Sequence, residues 1–139
     1  MRRLVIDTNI YIDWLNIGRH EAVLFQRDTV KYLSAVVLME LRAGAFSQSG
    51  RRLVQRIESA FDKTRRILVP TRAVFTDAGD VLRRLQADRG FRIEVDHSIV
   101  NDVLIAMSAR SIGAMVVTRN ARDYQAIQAV RPFSLTVVQ

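Results

Sequence analysis

The chain has 139 residues, 49% of them hydrophobic and 25% charged, which suits one globular domain and excludes a disordered chain. Cysteine is absent, so disulfides, thiolate zinc sites and cysteine nucleophiles are excluded, and a reducing, cytoplasmic location is the expectation. The formal charge is +7, and because only Lys31 and Lys63 of the 21 basic residues are lysine, the other 19 are arginine, whose planar fork favours a polyanionic partner.

In chain order, Arg3 to Asp7 reads as a short buried strand closing on an acid, and Asn9 to Asn16 as a helix stopped by Gly18. The opening Met1-Arg2-Arg3 is basic, but Asp7, Asn9 and Asp13 break the following apolar run too early for export, and no run is long enough to span a membrane. Glu21 to Arg27 reads as a short helix and Lys31-Tyr32-Leu33 as a strand, after which Ser34 caps a helix from Ala35 to about Ala45. Leu53, Val54, Ile57 and Phe61 give Arg51 to Thr64 a helical spacing, and Ile67-Leu68-Val69 before Pro70 is another strand. Thr71 to Arg89 is a long helix ended by Gly90. Asp96 or Ser98 caps a helix to about Ile112, closed by Gly113. Ala114 to Val117 forms a strand ending at Thr118, Ala121 to Val130 a short helix, and Ser134 to Val138 a last strand. Short, uniformly apolar strands alternating with helices predict a single α/β domain over residues 1–139, its mainly parallel sheet covered on both faces. Ligands of such folds gather at the carboxyl ends of strands.

Three acids are conspicuous against this pattern. Glu40 has Val36, Val37, Ala43 and Gly44 one turn either side, which predicts a buried helix face with no base at pairing distance. Asp102 has Ile99, Ile105, Ala106 and Ala109 around it, although an acid early in a helix also suits the helix dipole. Asp7 closes the first strand, where it is either a helix cap or part of a site, with Thr8 and Asn9 able to bond the turn. Three poorly paired acids in one basic domain are explained together as hard oxygen ligands for Mg²⁺ or Mn²⁺. Thr118 can fix a carboxylate or water, Asn120 offers a neutral oxygen, and Asp123 is a fourth acid or a helix cap. His20 and His97 stand outside these clusters.

The opening Val5-Ile6-Asp7-Thr8-Asn9-Ile10, the segment Ser34 to Leu41 around Glu40, Asn101-Asp102-Val103-Leu104-Ile105-Ala106, and Val117-Thr118-Arg119-Asn120 with Asp123-Tyr124 resemble, in order and spacing, the motifs of PIN-domain nucleases, in particular VapC-type toxins of prokaryotic toxin–antitoxin pairs. The resemblance spans nearly the whole chain. It implies a three-layer α/β/α sandwich, Mg²⁺-dependent endoribonuclease activity, a homodimer and a cognate antitoxin. Asp7, Glu40 and Asp102 occupy the family's acidic positions, whereas Asn120 stands where an aspartate is common, so Asp123 substitutes or a second metal binds weakly. On this reading Asp7 and Asp102 hold the ion, Glu40 binds it or orients a water, and Arg119 contacts an RNA phosphate. The alternative is a catalytically weak or inactive RNA-binding module. No P-loop, Gly-x-Gly-x-x-Gly, Asp-x-Asp phosphatase motif or receiver-type lysine supports another phosphate chemistry.

Overall fold

The structure, a computed structural model, describes residues 1–139. Its strands are β1 (Arg2–Ile6), β2 (Thr29–Ser34), β3 (Ile67–Leu68), β4 (Met115–Thr118) and β5 (Leu135–Val137). Its helices are α1 (Thr8–Ile17), α2 (Glu21–Leu24), α3 (Ala35–Ala43), α4 (Gln48–Lys63), α5 (Arg72–Arg89), α6 (Ser98–Ser111) and α7 (Ala121–Val130). None of them is long and apolar enough to cross a membrane.

The strands form one sheet in the order β3-β2-β1-β4-β5, and every pairing is parallel. Right-handed crossovers place α1 to α4 on one face and α5 to α7 on the other, which agrees with the packing of α3 against α1 and α4 and of α5 against α6 and α7. The result is a three-layer α/β/α sandwich. From β1 the chain builds outward through β2 to β3, then returns to the other side of β1 to lay down β4 and β5. The carboxyl ends of β1 and β4 therefore border the switch point of the topology, the crevice where such sheets bind ligands.

Burial explains the central elements. Leu4, Val5 and Ile6 of β1 are buried because helices cover both faces of the sheet. The most enclosed helix is α6, which buries Ile99, Val103, Ile105, Ala106, Met107 and Ala109 among others; each large aliphatic side chain there stabilises the fold by about 1.5–3 kcal/mol.

Several boundaries differ from the sequence expectation. β2 starts two residues earlier, where Thr29 is in register with Arg2, and α2 covers only Glu21–Leu24. α3 stops at Ala43, and α4 begins three residues early because Ser47 Oγ accepts from the Gly50 N–H at 2.9 Å. Neither Asp96 nor Ser98 caps α6: the cap position is His97, without a side-chain bond, while Asp96 faces Arg122 at 3.6 Å and Ser98 lies inside the first turn. β3 ends at Leu68, since Val69 is exposed before Pro70.

Candidate active site

Asp7 follows β1 directly, and its backbone N–H donates to the Val117 carbonyl of β4 at 2.9 Å, which ties the two strand ends together. Its Oδ1 accepts from the Thr8 N–H at 2.8 Å, so it caps α1, while its Oδ2 accepts from Thr118 Oγ1 at 2.7 Å and from Asn9 Nδ2 at 3.3 Å. One carboxylate thus faces both the helix and the neighbouring strand. Asp102 comes from α6 and Glu40 from α3, helices on opposite faces of the sheet that meet over its carboxyl edge.

Asp7, Asp102 and Asp123 are 4%, 7% and 5% exposed, respectively. Glu40, expected on a buried face, is only half-buried. Its N-terminal neighbours Val36 and Val37 are buried, but Ala43 and Gly44 are exposed, because α3 ends there beside an open groove lined by Ile12, Asn16 and Phe46. Glu40 Oε1 accepts from Thr8 Oγ1 at 2.7 Å and Oε2 from Asn101 Nδ2 at 3.4 Å. Asn120 caps α7, its Oδ1 accepting from the Asp123 N–H at 3.3 Å. Its Nδ2 donates to Asp102 Oδ2 at 3.4 Å and to Asp123 Oδ2 at 3.1 Å, so a neutral amide bridges two acids. The other Asp123 oxygen has no hydrogen bond, although the Arg122 guanidinium is 3.5 Å away.

Beneath them lies Tyr124, fully buried, its hydroxyl next to Asp7 and Asp102 but without a well-formed hydrogen bond to either. Burial first, then repulsion from Asp7, Asp123 and Glu40, pushes the Asp102 carboxyl up to about 8. Burial likewise raises Asp7, against the stabilising hydrogen bonds from Thr118 and Thr8. None of Asp7, Glu40 and Asp102 is ion-paired with a lysine or arginine. Buried carboxylates that repel one another and lack a basic partner suit a cation from solution. The donor set is entirely oxygen and amide, with no sulfur and no imidazole, which fits a hard ion such as Mg²⁺. Asp7, Glu40 and Asp102, expected to share an ion, do not converge tightly enough to enclose one by themselves.

The family model described as PIN domain matches residues 4–129. The chain belongs to the PIN domain family. PIN domains are generally nucleases. Among solved structures, this PIN domain is similar to VapBC2 from Rickettsia felis, crystallised with a DNA fragment from its promoter (TM-score 0.71, 21% identity, 99% of each chain covered). It is also similar to DNA-bound VapBC from Salmonella typhimurium (TM-score 0.71, 24% identity, 99% and 98% covered). VapBC-5 of Mycobacterium tuberculosis, from a family of toxin–antitoxin systems, matches with TM-score 0.68, 22% identity and 99% and 100% coverage. No curated protein matches the sequence. Hydrogen bonds link Asp7, Thr8, Asn9, Glu40, Asp102, Thr118, Asn120 and Asp123 into one network at the switch point, which Arg119 joins only through its backbone N–H, its guanidinium lying on Asp13. Two neighbours of these acids, Asn101 beside Asp102 and Tyr124 one turn after Asn120, stand within the motifs quoted from the sequence but are given no role there.

Proposed function

We propose that this PIN domain is a Mg²⁺- or Mn²⁺-dependent endoribonuclease that acts in the cytoplasm as the toxin of a toxin–antitoxin pair. The observation that carries the reading is the pair of buried carboxylates, Asp7 and Asp102, without basic partners at the switch point of a PIN fold. Asp7 and Asp102 would hold the ion, with Thr118, Asn120 and Asp123 beside them. When bound, the divalent ion supplies Lewis acidity that lowers the pKa of the attacking water and neutralises charge on the phosphate. Glu40, held by Thr8 and Asn101, accepts a hydrogen bond from that water and orients it toward phosphorus. Thr118 and Asn9 keep the Asp7 carboxylate in place, and Arg119 contacts a phosphate of the strand. The water oxygen forms the new P–O bond as the ester P–O bond breaks, its proton passing to solvent and the departing sugar oxygen taking a proton from a second water.

An antitoxin partner and a homodimer complete the proposal. The structural neighbours are toxin–antitoxin complexes, which supports an antitoxin partner for this chain. The N-terminal helices and the arm around Arg51 to Arg66 are the proposed dimer contact. Light scattering at micromolar concentration should give twice the 15.8 kDa chain mass; only monomer would overturn that part.

The deciding assay incubates purified protein with total RNA and Mg²⁺, Mn²⁺ or EDTA. Cleavage with either ion and none in EDTA is expected, and Asp7→Asn or Asp102→Asn should abolish cleavage while RNA binding persists. Wild-type rates from both variants would sink the nuclease reading. The second reading, an RNA-binding module without catalysis, draws on Asn120, whose amide already bridges Asp102 and Asp123 where a metal-binding acid is common. RNA retention without cleavage under any ion would favour it.

A further inference from the structure

Beside the acids runs a second polar chain, in which Arg119 is joined to Asp13 and His20. Arg119 lies between Thr118, the last residue of β4, and Asn120, and its backbone N–H donates to Asn9 Oδ1 at 3.3 Å. Its side chain then follows α1 to Asp13, one helical turn beyond Asn9, where Arg119 Nε is 3.1 Å from Asp13 Oδ2. The same Asp13 oxygen meets His20 Nε2 at 2.9 Å. Exposure falls steeply along this chain, from 48% for the Arg119 side chain to 14% for Asp13 and 8% for His20.

An ion pair with an exposed arginine adds little to stability, so folding alone is a weak reason for this arrangement. His20 also adopts a left-handed backbone, with φ of 70°, which is uncommon outside glycine. In that conformation its imidazole lies on Asp13. The hydrogen bond from His20, ahead of the charge of Arg119, keeps the Asp13 carboxyl below its usual range, so it stays an anion able to hold the guanidinium. What reaches solvent is a cation tethered at both ends, to Asn9 through its backbone and to Asp13, one turn of α1 further on, through its side chain.

We infer that Asp13, braced by His20, is a positioning residue that holds Arg119 to grip a backbone phosphate of a single-stranded polynucleotide next to the bond being cut. This deepens the nuclease reading and rests on it. A pre-oriented fork loses less conformational freedom on meeting a phosphate than a free arginine does.

The test exploits a conflict of signs. Asp13→Asn removes a negative charge, so if only the overall field mattered, a polyanion would bind more tightly. The positioning role requires weaker binding. Binding of a labelled, mixed-sequence single-stranded RNA is measured in EDTA between about 50 and 200 mM salt for wild type, Asp13→Asn, Arg119→Ala, their double variant, and Arg83→Ala as a control that removes a positive charge from an exposed pair on α5. Arg119→Ala should weaken binding about 3- to 10-fold and reduce the salt slope by about 0.7. Asp13→Asn should also weaken it, and the double variant should bind no worse than Arg119→Ala alone, as two residues acting through one contact require. With Mg²⁺, Asp13→Asn should raise KM for RNA cleavage more than it lowers kcat.

If wild type neither binds nor cuts RNA, the nuclease reading fails and this inference with it. If wild type binds while Asp13→Asn tightens binding or leaves it unchanged, the positioning role alone is overturned. Should Asp13→Asn fail to fold by circular dichroism, an unchanged salt slope in Arg119→Ala overturns the inference, and a reduced slope with a folded His20→Gln that binds as weakly supports it.

Discussion

At the scale of single residues, the site is costly to the protein without a bound ion, and that cost has a sign that can be measured. The Asp102 carboxyl sits at about 8 in the fold, far above its unfolded value of about 3.9. A group raised in this way contributes stability that is full below the unfolded value and is lost as pH rises through the folded one, so the metal-free protein should weaken between about pH 4 and pH 8. Asp102→Asn removes the charge without adding bulk. In EDTA at pH 8 it should melt above wild type, by about 3 °C for each kcal/mol relieved, and the gap should shrink at pH 5. Thermal melts at the two pH values check this, and a gap that does not change with pH would contradict the raised carboxyl. Asn120→Asp works in the opposite direction, since it replaces an amide donor to Asp102 and Asp123 with another negative charge. It should lower the metal-free melting temperature and tighten Mg²⁺ binding, which titration calorimetry will read.

Among the elements, α3 and α6 carry Glu40 and Asp102 to the crevice, and each is held by a feature that can be removed separately. Ser34 ends β2 and caps α3, fully buried, with Oγ accepting from the Val36 N–H at 3.1 Å. Ser34→Ala should cost about 1 kcal/mol and disturb Glu40 more than Asp102, because only α3 loses its cap. Ile105 packs α6 into the core one turn after Asp102, with no exposure. Ile105→Ala should cost about 2–5 kcal/mol in urea unfolding, since a helix enclosed on nearly every side collapses poorly around a cavity. A cost below about 1 kcal/mol would mean that α6 is less tightly enclosed than its burial indicates.

For the molecule as a whole, the proposed ion binding would be linked to folding, because the crevice acids come from elements that meet only in the native topology. An ion that binds the folded state alone stabilises it by about 2.7 kcal/mol at a hundred times its dissociation constant. Mg²⁺ should therefore raise the melting temperature of wild type, more at pH 8 than at pH 6, where protons compete for Asp102. It should do little to the Asp7→Asn/Asp102→Asn double variant. Equal Mg²⁺ shifts in both proteins would place the ion elsewhere.

The sequence by itself determined the order of elements and which acids stand at the crevice. Apolar strands alternating with amphipathic helices specify a parallel sheet covered on both faces, because each periodicity must bury its own face. Asp7 was legible because an acid closing an apolar strand is unusual, and Asp102 because apolar residues surround it at helical spacing. What only the tertiary structure decided depends on distances between segments far apart in the chain. Glu40 lies beside an open groove because α3 ends at Ala43 with Gly44 as its cap, a boundary that helical periodicity does not mark. The α6 cap was misread because Asp96 turns toward Arg122 on another helix. Arg119 joins the local pair Asp13 and His20 only because β4 lies next to β1, which brings the residue after Thr118 against the face of α1. Local sequence encodes which face of an element is apolar, but which side chains meet across the crevice is settled by sheet order.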